Sequence, residues 1–106
     1  MAKGILGKVE AGTGDTAVYT VPAENFAVVS INICNTTTQT RSIRIAIADD
    51  AGNVQTEEFI EYDADLLAAG VLERTGIVID AGKTITARSN STGVAVMVYG
   101  IETSTV

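Results

Sequence analysis

The strongest constraint in this sequence is alternation. Along residues 26–34, Ala27, Val29, Ile31 and Ile33 fall on one side of an extended chain, and Phe26, Val28, Ser30, Asn32 and Cys34 on the other. Successive side chains of a strand point to opposite faces, so a period of two predicts a strand with one face in a core. Residues 41–48 repeat the pattern more cleanly, with Ile43, Ile45 and Ile47 facing one way and Ser42, Arg44, Ala46 and Ala48 the other. Val, Ile and Thr fill the periodic runs, and Gly, Asn, Asp and Ser interrupt them at the spacing of an all-β sandwich or barrel.

Further along, residues 57–62 predict a short strand, and residues 63–70 a single helical turn or a loop closed by Gly70. Residues 71–74 and 77–80 read as two strand pieces separated by a bulge or bend at Thr75 and Gly76. Residues 84–88 form another strand after a turn at 80–83, and residues 94–101 form the last. In that last strand Val94, Val96 and Val98 alternate with Ala95, Met97, Tyr99 and Ile101, so both faces are apolar. Such a strand is central between two layers or is covered by a neighbouring chain. Residues 5–9 and 16–21 add two strands around a Gly-rich turn, with Pro22 ending the second. The polar residues 35–40 are expected to join the strands on either side of them as a hairpin, and residues 49–53 to make a second turn. The expected fold is a single all-β domain over residues 1–106, an antiparallel β-sandwich of jelly-roll-like type with about eight short strands.

Composition narrows the chemistry. The 106 residues include no histidine, which removes Ser-His and Cys-His nucleophile pairs and imidazole metal ligands. The one cysteine, Cys34, cannot close an intrachain disulfide and is expected to serve as a small buried hydrophobe. Thirteen acidic residues against seven basic ones, with no basic stripe, oppose binding to phosphate backbones. The N-terminal residues carry no signal-peptide pattern, and no apolar run approaches the roughly 20 residues of a membrane span. The expectation is therefore a soluble, unexported protein that binds neither nucleic acid nor membrane. Yet 46% of residues are hydrophobic, only 19% are charged and the mean hydropathy is +0.28. That excess suggests that part of the surface is covered by other protein.

Motifs for small-molecule chemistry fail on context. Gly82-Lys83-Thr84 resembles the end of a phosphate-binding loop, but position 77 is Ile77 where a glycine is required, and a strand pattern follows instead of a helix. Gly12-Thr13-Gly14 precedes a strand as well. Asp49, Asp50 and Asn53 have calcium's preferred oxygens, and Asp63 and Asp65 lie near Glu57, Glu58 and Glu61, but the alternating ligand register is missing and turn chemistry accounts for the first group. Paired carboxylates for glycoside hydrolysis could come from Glu57, Glu58, Glu61, Asp63 or Asp65, on a chain with little aromatic surface for stacking a sugar. Asn35 and Asn90 head glycosylation sequons and read as polar loop residues. Arg74 and Arg88 are expected to pair with Glu73 or Asp80. No catalytic residue, cofactor or metal is expected.

Several segments together resemble small virion structural proteins of tailed bacteriophages, especially those of aquatic and cyanobacterial phages. They are Tyr19-Thr20-Val21-Pro22-Ala23, residues 28–35, Tyr62-Asp63, residues 70–78, Ala81-Gly82-Lys83 and Val98-Tyr99-Gly100-Ile101-Glu102. The likeness spans residues 19–102 as a whole pattern and carries no active-site residues. It implies a compact β-sandwich with a role in assembly, located in the virion and put together in the host cytoplasm. The expected function is a non-enzymatic capsid decoration or cement protein that stabilises the head shell. Its expected partners are its own copies, as a homotrimer matching the threefold positions of an icosahedral lattice, and the major capsid protein or another virion protein. The candidate interface is Phe26, Val28, Val94, Val96, Met97, Val98, Tyr99 and Ile101, with Thr-rich loops at 36–38 and 89–92 as contact or exposed tips. The alternatives are a tail-fibre, baseplate or head-spike component that contacts the host, and a free ligand- or carbohydrate-binding β-domain.

Overall fold

The computed structural model describes residues 3–105. Eight strands follow one another: β1 (Lys3–Glu10), β2 (Thr16–Thr20), β3 (Asn25–Asn35), β4 (Arg41–Ala48), β5 (Phe59–Leu66), β6 (Val71–Ile79), β7 (Thr84–Ser89) and β8 (Val94–Ser104), with one 3-10 turn at Thr56–Glu58. They form two four-stranded antiparallel sheets, ordered β1-β8-β3-β6 and β2-β7-β4-β5. Pairing is nested: β4 pairs with β5, β3 with β6, β2 with β7 and β1 with β8. This is the strand order of a jelly roll, and the expected sandwich of about eight strands is what the chain forms.

The inward faces follow the period of two. Ala27, Val29, Ile31 and Ile33 of β3 meet Ile43 and Ile45 of β4, Ile85 and Ala87 of β7, and Val94, Val96 and Val98 of β8 in one buried cluster, with Ile47 packed against it. On the opposite side of β4, Ala46 and Ala48 are also buried, because the connection carrying the 3-10 turn packs back against that strand. At Gly100, φ is 151° and a Cβ would run into the backbone oxygen of Val28. Glycine there lets β8 lie close against β3.

Three local expectations differ from the structure. Residues 35–40 do not form a hairpin, since β3 and β4 belong to different sheets and the segment crosses the end of the sandwich. A polar connection between two alternating strands has the same composition in either case. Asp63 to Leu66 continue β5, which begins at Phe59 and not at Glu57, so only Leu67 to Gly70 turn. The two pieces of β6 are one strand, with the expected bulge at Thr75 and Gly76, where the register against β3 shifts and Gly76 takes φ 69°.

Asn35 closes the end that this segment crosses. It is fully buried, and its amide nitrogen donates to the backbone oxygens of Gln39 (2.7 Å), Leu66 (3.0 Å) and Leu67 (3.1 Å). Its side-chain oxygen accepts from the backbone nitrogen and the hydroxyl of Thr37. One side chain thus satisfies backbone groups from both sheets' connections. At the open side of the sandwich, Arg74 of β6 reaches Glu61 of β5 at 2.8 Å and ties the two sheet edges together. The expected pairing of Arg74 with Glu73 or Asp80 is replaced by this contact, because residues adjacent along a strand face opposite ways.

Candidate interaction face

The outward side of the β1-β8-β3-β6 sheet can be followed row by row from its register. Glu10, Ala95, Cys34 and Val71 form one row, and Lys8, Met97, Asn32 and Glu73 the next. Beyond them come Ile5, Tyr99 and Ser30, and then Lys3, Ile101, Val28 and Val78, with Phe26 farther along β3. Seven large hydrophobic side chains of the described residues are exposed, and Ile5, Val71, Val78, Met97 and Ile101 belong to this one face. The remaining two, Tyr62 and Leu67, lie elsewhere, so exposure is concentrated on one sheet. In a sandwich whose core is already enclosed between its sheets, a second apolar surface has no use within the chain.

The face is not uniformly apolar. Charge is confined to its two edge strands, with Lys3, Lys8 and Glu10 on β1 and Glu73 on β6. Glu73 accepts a 2.6 Å hydrogen bond from the hydroxyl of Tyr99, and that bond, ahead of burial, raises the Tyr99 pKa above the usual phenol value. Near one end, Lys8, Glu10, Asn32, Cys34, Ala95 and Met97 line a shallow depression of about 530 Å³. Cys34 lines this depression half-buried, which corrects the expectation of a core thiol: the side chains of even-numbered β3 residues point away from the core.

The outward side of the other sheet is finished differently. Arg44 and Arg88 are directly opposed on β4 and β7, a pairing that repels unless it is compensated. A bulge in β5 supplies the compensation. Between Ile43 and Ile45 the register shifts, and Asp63 takes φ 50°, which sets its carboxylate against Arg44 at 2.6 Å and 3.2 Å. That bidentate contact holds the Asp63 carboxyl below the usual carboxylate range and raises Arg44. The Tyr62 ring lies 4.1 Å beneath the same guanidinium and meets Phe59 edge to face. Arg88 lies 3.9 Å from Asp15, in place of the expected Glu73 or Asp80.

Of the expected interface residues, Phe26, Val28, Met97, Tyr99 and Ile101 lie together on the outward face. Val94, Val96 and Val98 do not: they are at most 2% exposed, and as the inward half of β8 they belong to the core. Ile5, Val71 and Val78 join the face without having been singled out. Val71 and Val78 differ in parity, and only the one-residue phase change at the Thr75-Gly76 bulge brings them to the same side.

The carboxylates weighed for metal or sugar chemistry are dispersed into local contacts. Asp49 pairs with Lys83 at 2.7 Å, Asp50 accepts from the Gly52 nitrogen, and Glu58 accepts from the nitrogens of Asp49 and Gln55. Among the described residues no group of three or more Cys, Asp or Glu side chains gathers to hold a metal ion. The Thr-rich loops meet each other at the Asn35 end, where Thr36 donates from its hydroxyl to the Gly93 oxygen at 2.7 Å and Arg41 donates to the Thr92 oxygen at 2.9 Å. No protein-family model, curated protein or solved structure matches this chain.

Proposed function

We propose that this chain is a non-enzymatic structural subunit of a tailed-phage particle, a decoration or cement protein that stabilises the head shell as a small closed oligomer. The observation that carries the assembly role is the apolar outward face of the β1-β8-β3-β6 sheet, on which Ile5, Val71, Val78, Met97 and Ile101 stand exposed. The phage setting comes from the sequence resemblance over residues 19–102, and the jelly roll agrees with it, since capsid proteins are among the proteins built on this architecture. A formal charge of −6 favours solubility of the free protein before assembly.

Counting copies tests the proposal. In purified particles of the phage that carries the chain, its band intensity relative to the major shell protein should correspond to hundreds of copies. A handful per particle would make it a tail component, and absence from particles would overturn the structural role altogether.

A further inference from the structure

From the distribution of charge on the outward face of the β1-β8-β3-β6 sheet, we infer that two copies of this chain pair face to face about a two-fold axis running parallel to the strands between β8 and β3. The inference rests on the assignment, made above, of this face as the covered one, and it names a second copy of the chain as what covers it.

When two copies of one sheet pack face to face, a two-fold axis in the plane between them runs either along the strands or across them. An axis along the strands preserves each row and reverses its order, so β1 of one copy lies over β6 of the other. The row Lys8, Met97, Asn32, Glu73 then opposes its own reverse. Lys8 meets the partner's Glu73 twice, once at each side of the interface. In the row Lys3, Ile101, Val28, Val78, the central pair Ile101 and Val28 meet each other's counterparts, apolar on apolar. In the row Glu10, Ala95, Cys34, Val71, the central Ala95 and Cys34 meet each other's counterparts, and Val71, 60% exposed, comes over the partner's Glu10 at the edge of the depression.

An axis across the strands gives the opposite result. It keeps β1 over β1 and β6 over β6, so Lys8 never reaches the partner's Glu73, and which of Lys3, Lys8 and Glu10 face one another depends on where the axis crosses. Of the two arrangements only the first sets Lys8 against Glu73, an oppositely charged pair formed twice at the rim. The size of the face agrees with a dimer. Four strands about 4.8 Å apart and roughly eight residues long, at about 3.4 Å per residue, cover about 500 Å² per copy. Two such faces bury about 1,000 Å², the least that a biological interface is expected to clear.

Charge reversal tests the pairing. The native chain should sediment as a dimer, twice 11.0 kDa, at protein concentrations of about 100 μM. Lys8→Glu and Glu73→Lys change exposed side chains, so each variant should unfold with near-native cooperativity while self-association falls about tenfold or more. Mixing the two variants should restore association, because the Lys8→Glu chain offers two acidic groups where the Glu73→Lys chain offers two basic ones. A native chain that stays monomeric or forms a trimer, or a mixture that associates no better than either variant alone, would overturn the pairing. Particle copy number is a separate readout: a monomer present at hundreds of copies per particle would sink this dimer and leave the decoration role intact, and a charge-paired dimer absent from particles would do the reverse.

Discussion

The two outward faces of this sandwich are built on strands of the same kind and end in opposite chemistry. Both sheets turn aliphatic side chains inward to one core. Outside, the β2-β7-β4-β5 sheet compensates its opposed arginines with Asp63, Asp15 and the Tyr62 ring, so both arginine charges are satisfied within the chain. The β1-β8-β3-β6 sheet leaves Ile5, Val71, Val78, Met97 and Ile101 in water and keeps its charges at the edges. The lesson is that alternation alone marks which side of a strand is buried in the chain. What occupies the other side decides whether the sheet is finished or awaits a partner.

The contrast is steepest within β8. Val96→Asp places a charge in the core beside Ile31 and Ile33 and should abolish cooperative unfolding, a loss of about 4 kcal/mol or more. Its neighbour Met97 faces the other way, so Met97→Asp should unfold with near-native stability while self-association, measured by sedimentation, falls at least about tenfold. Equal damage from both would mean that the faces of β8 are not distinct. Asn35→Ala should come between these limits, at about 3 kcal/mol in urea unfolding, because it removes the buried amide that donates to the carbonyls of Gln39, Leu66 and Leu67 and accepts from the Thr37 nitrogen. On the other sheet, Tyr62→Asp alters the most exposed large apolar side chain and should leave the oligomeric state unchanged.

The smallest effects separate the two faces by pH. The pKa of Asp63 is lowered in the folded chain, so the stability it contributes is present above the ordinary carboxylate value near 3.8 and is lost as pH falls through the lowered one. Asp63→Asn should flatten the fall of the unfolding midpoint below about pH 4. Tyr99 is raised by its bond to Glu73, so its contribution is present below the ordinary phenol value of 10.0 and is lost as pH rises through the raised one. Tyr99→Phe should flatten the alkaline fall in part, since Tyr19, raised by burial and by its 2.6 Å bond to Glu102, keeps its own share.

Much of this was legible in the sequence, and what was not has a physical reason. Ile43, Ile45 and Ile47 announce their inward face because sheet geometry enforces a period of two. The bulge at Thr75 and Gly76 is marked by its glycine. Strand order is different: the nested pairing joins residues far apart in the chain, and a polar connector such as residues 35–40 serves a hairpin and a crossing between sheets alike. Asn35 is invisible for the same reason. Its acceptors at Leu66 and Leu67 are 31 and 32 residues away, so the sequence presents it as one polar residue in a polar run. For the candidate face, the alternation within residues 26–34 and 94–101 revealed the central strands, while the edge residues Ile5, Val71 and Val78 required the register and its bulge.

The position of β8 has a consequence for when the molecule becomes sticky. It is the eighth strand to be made and yet lies in the middle of its sheet, between β1 and β3, and even its adjoining loop is held by a contact, Gly93 to Glu10, spanning 83 residues. Until β8 docks, the outward surface is two separate fragments, neither broad enough to hold a second copy. The pairing inferred above therefore waits for β8: before it docks, no continuous four-stranded face exists for a second copy to cover.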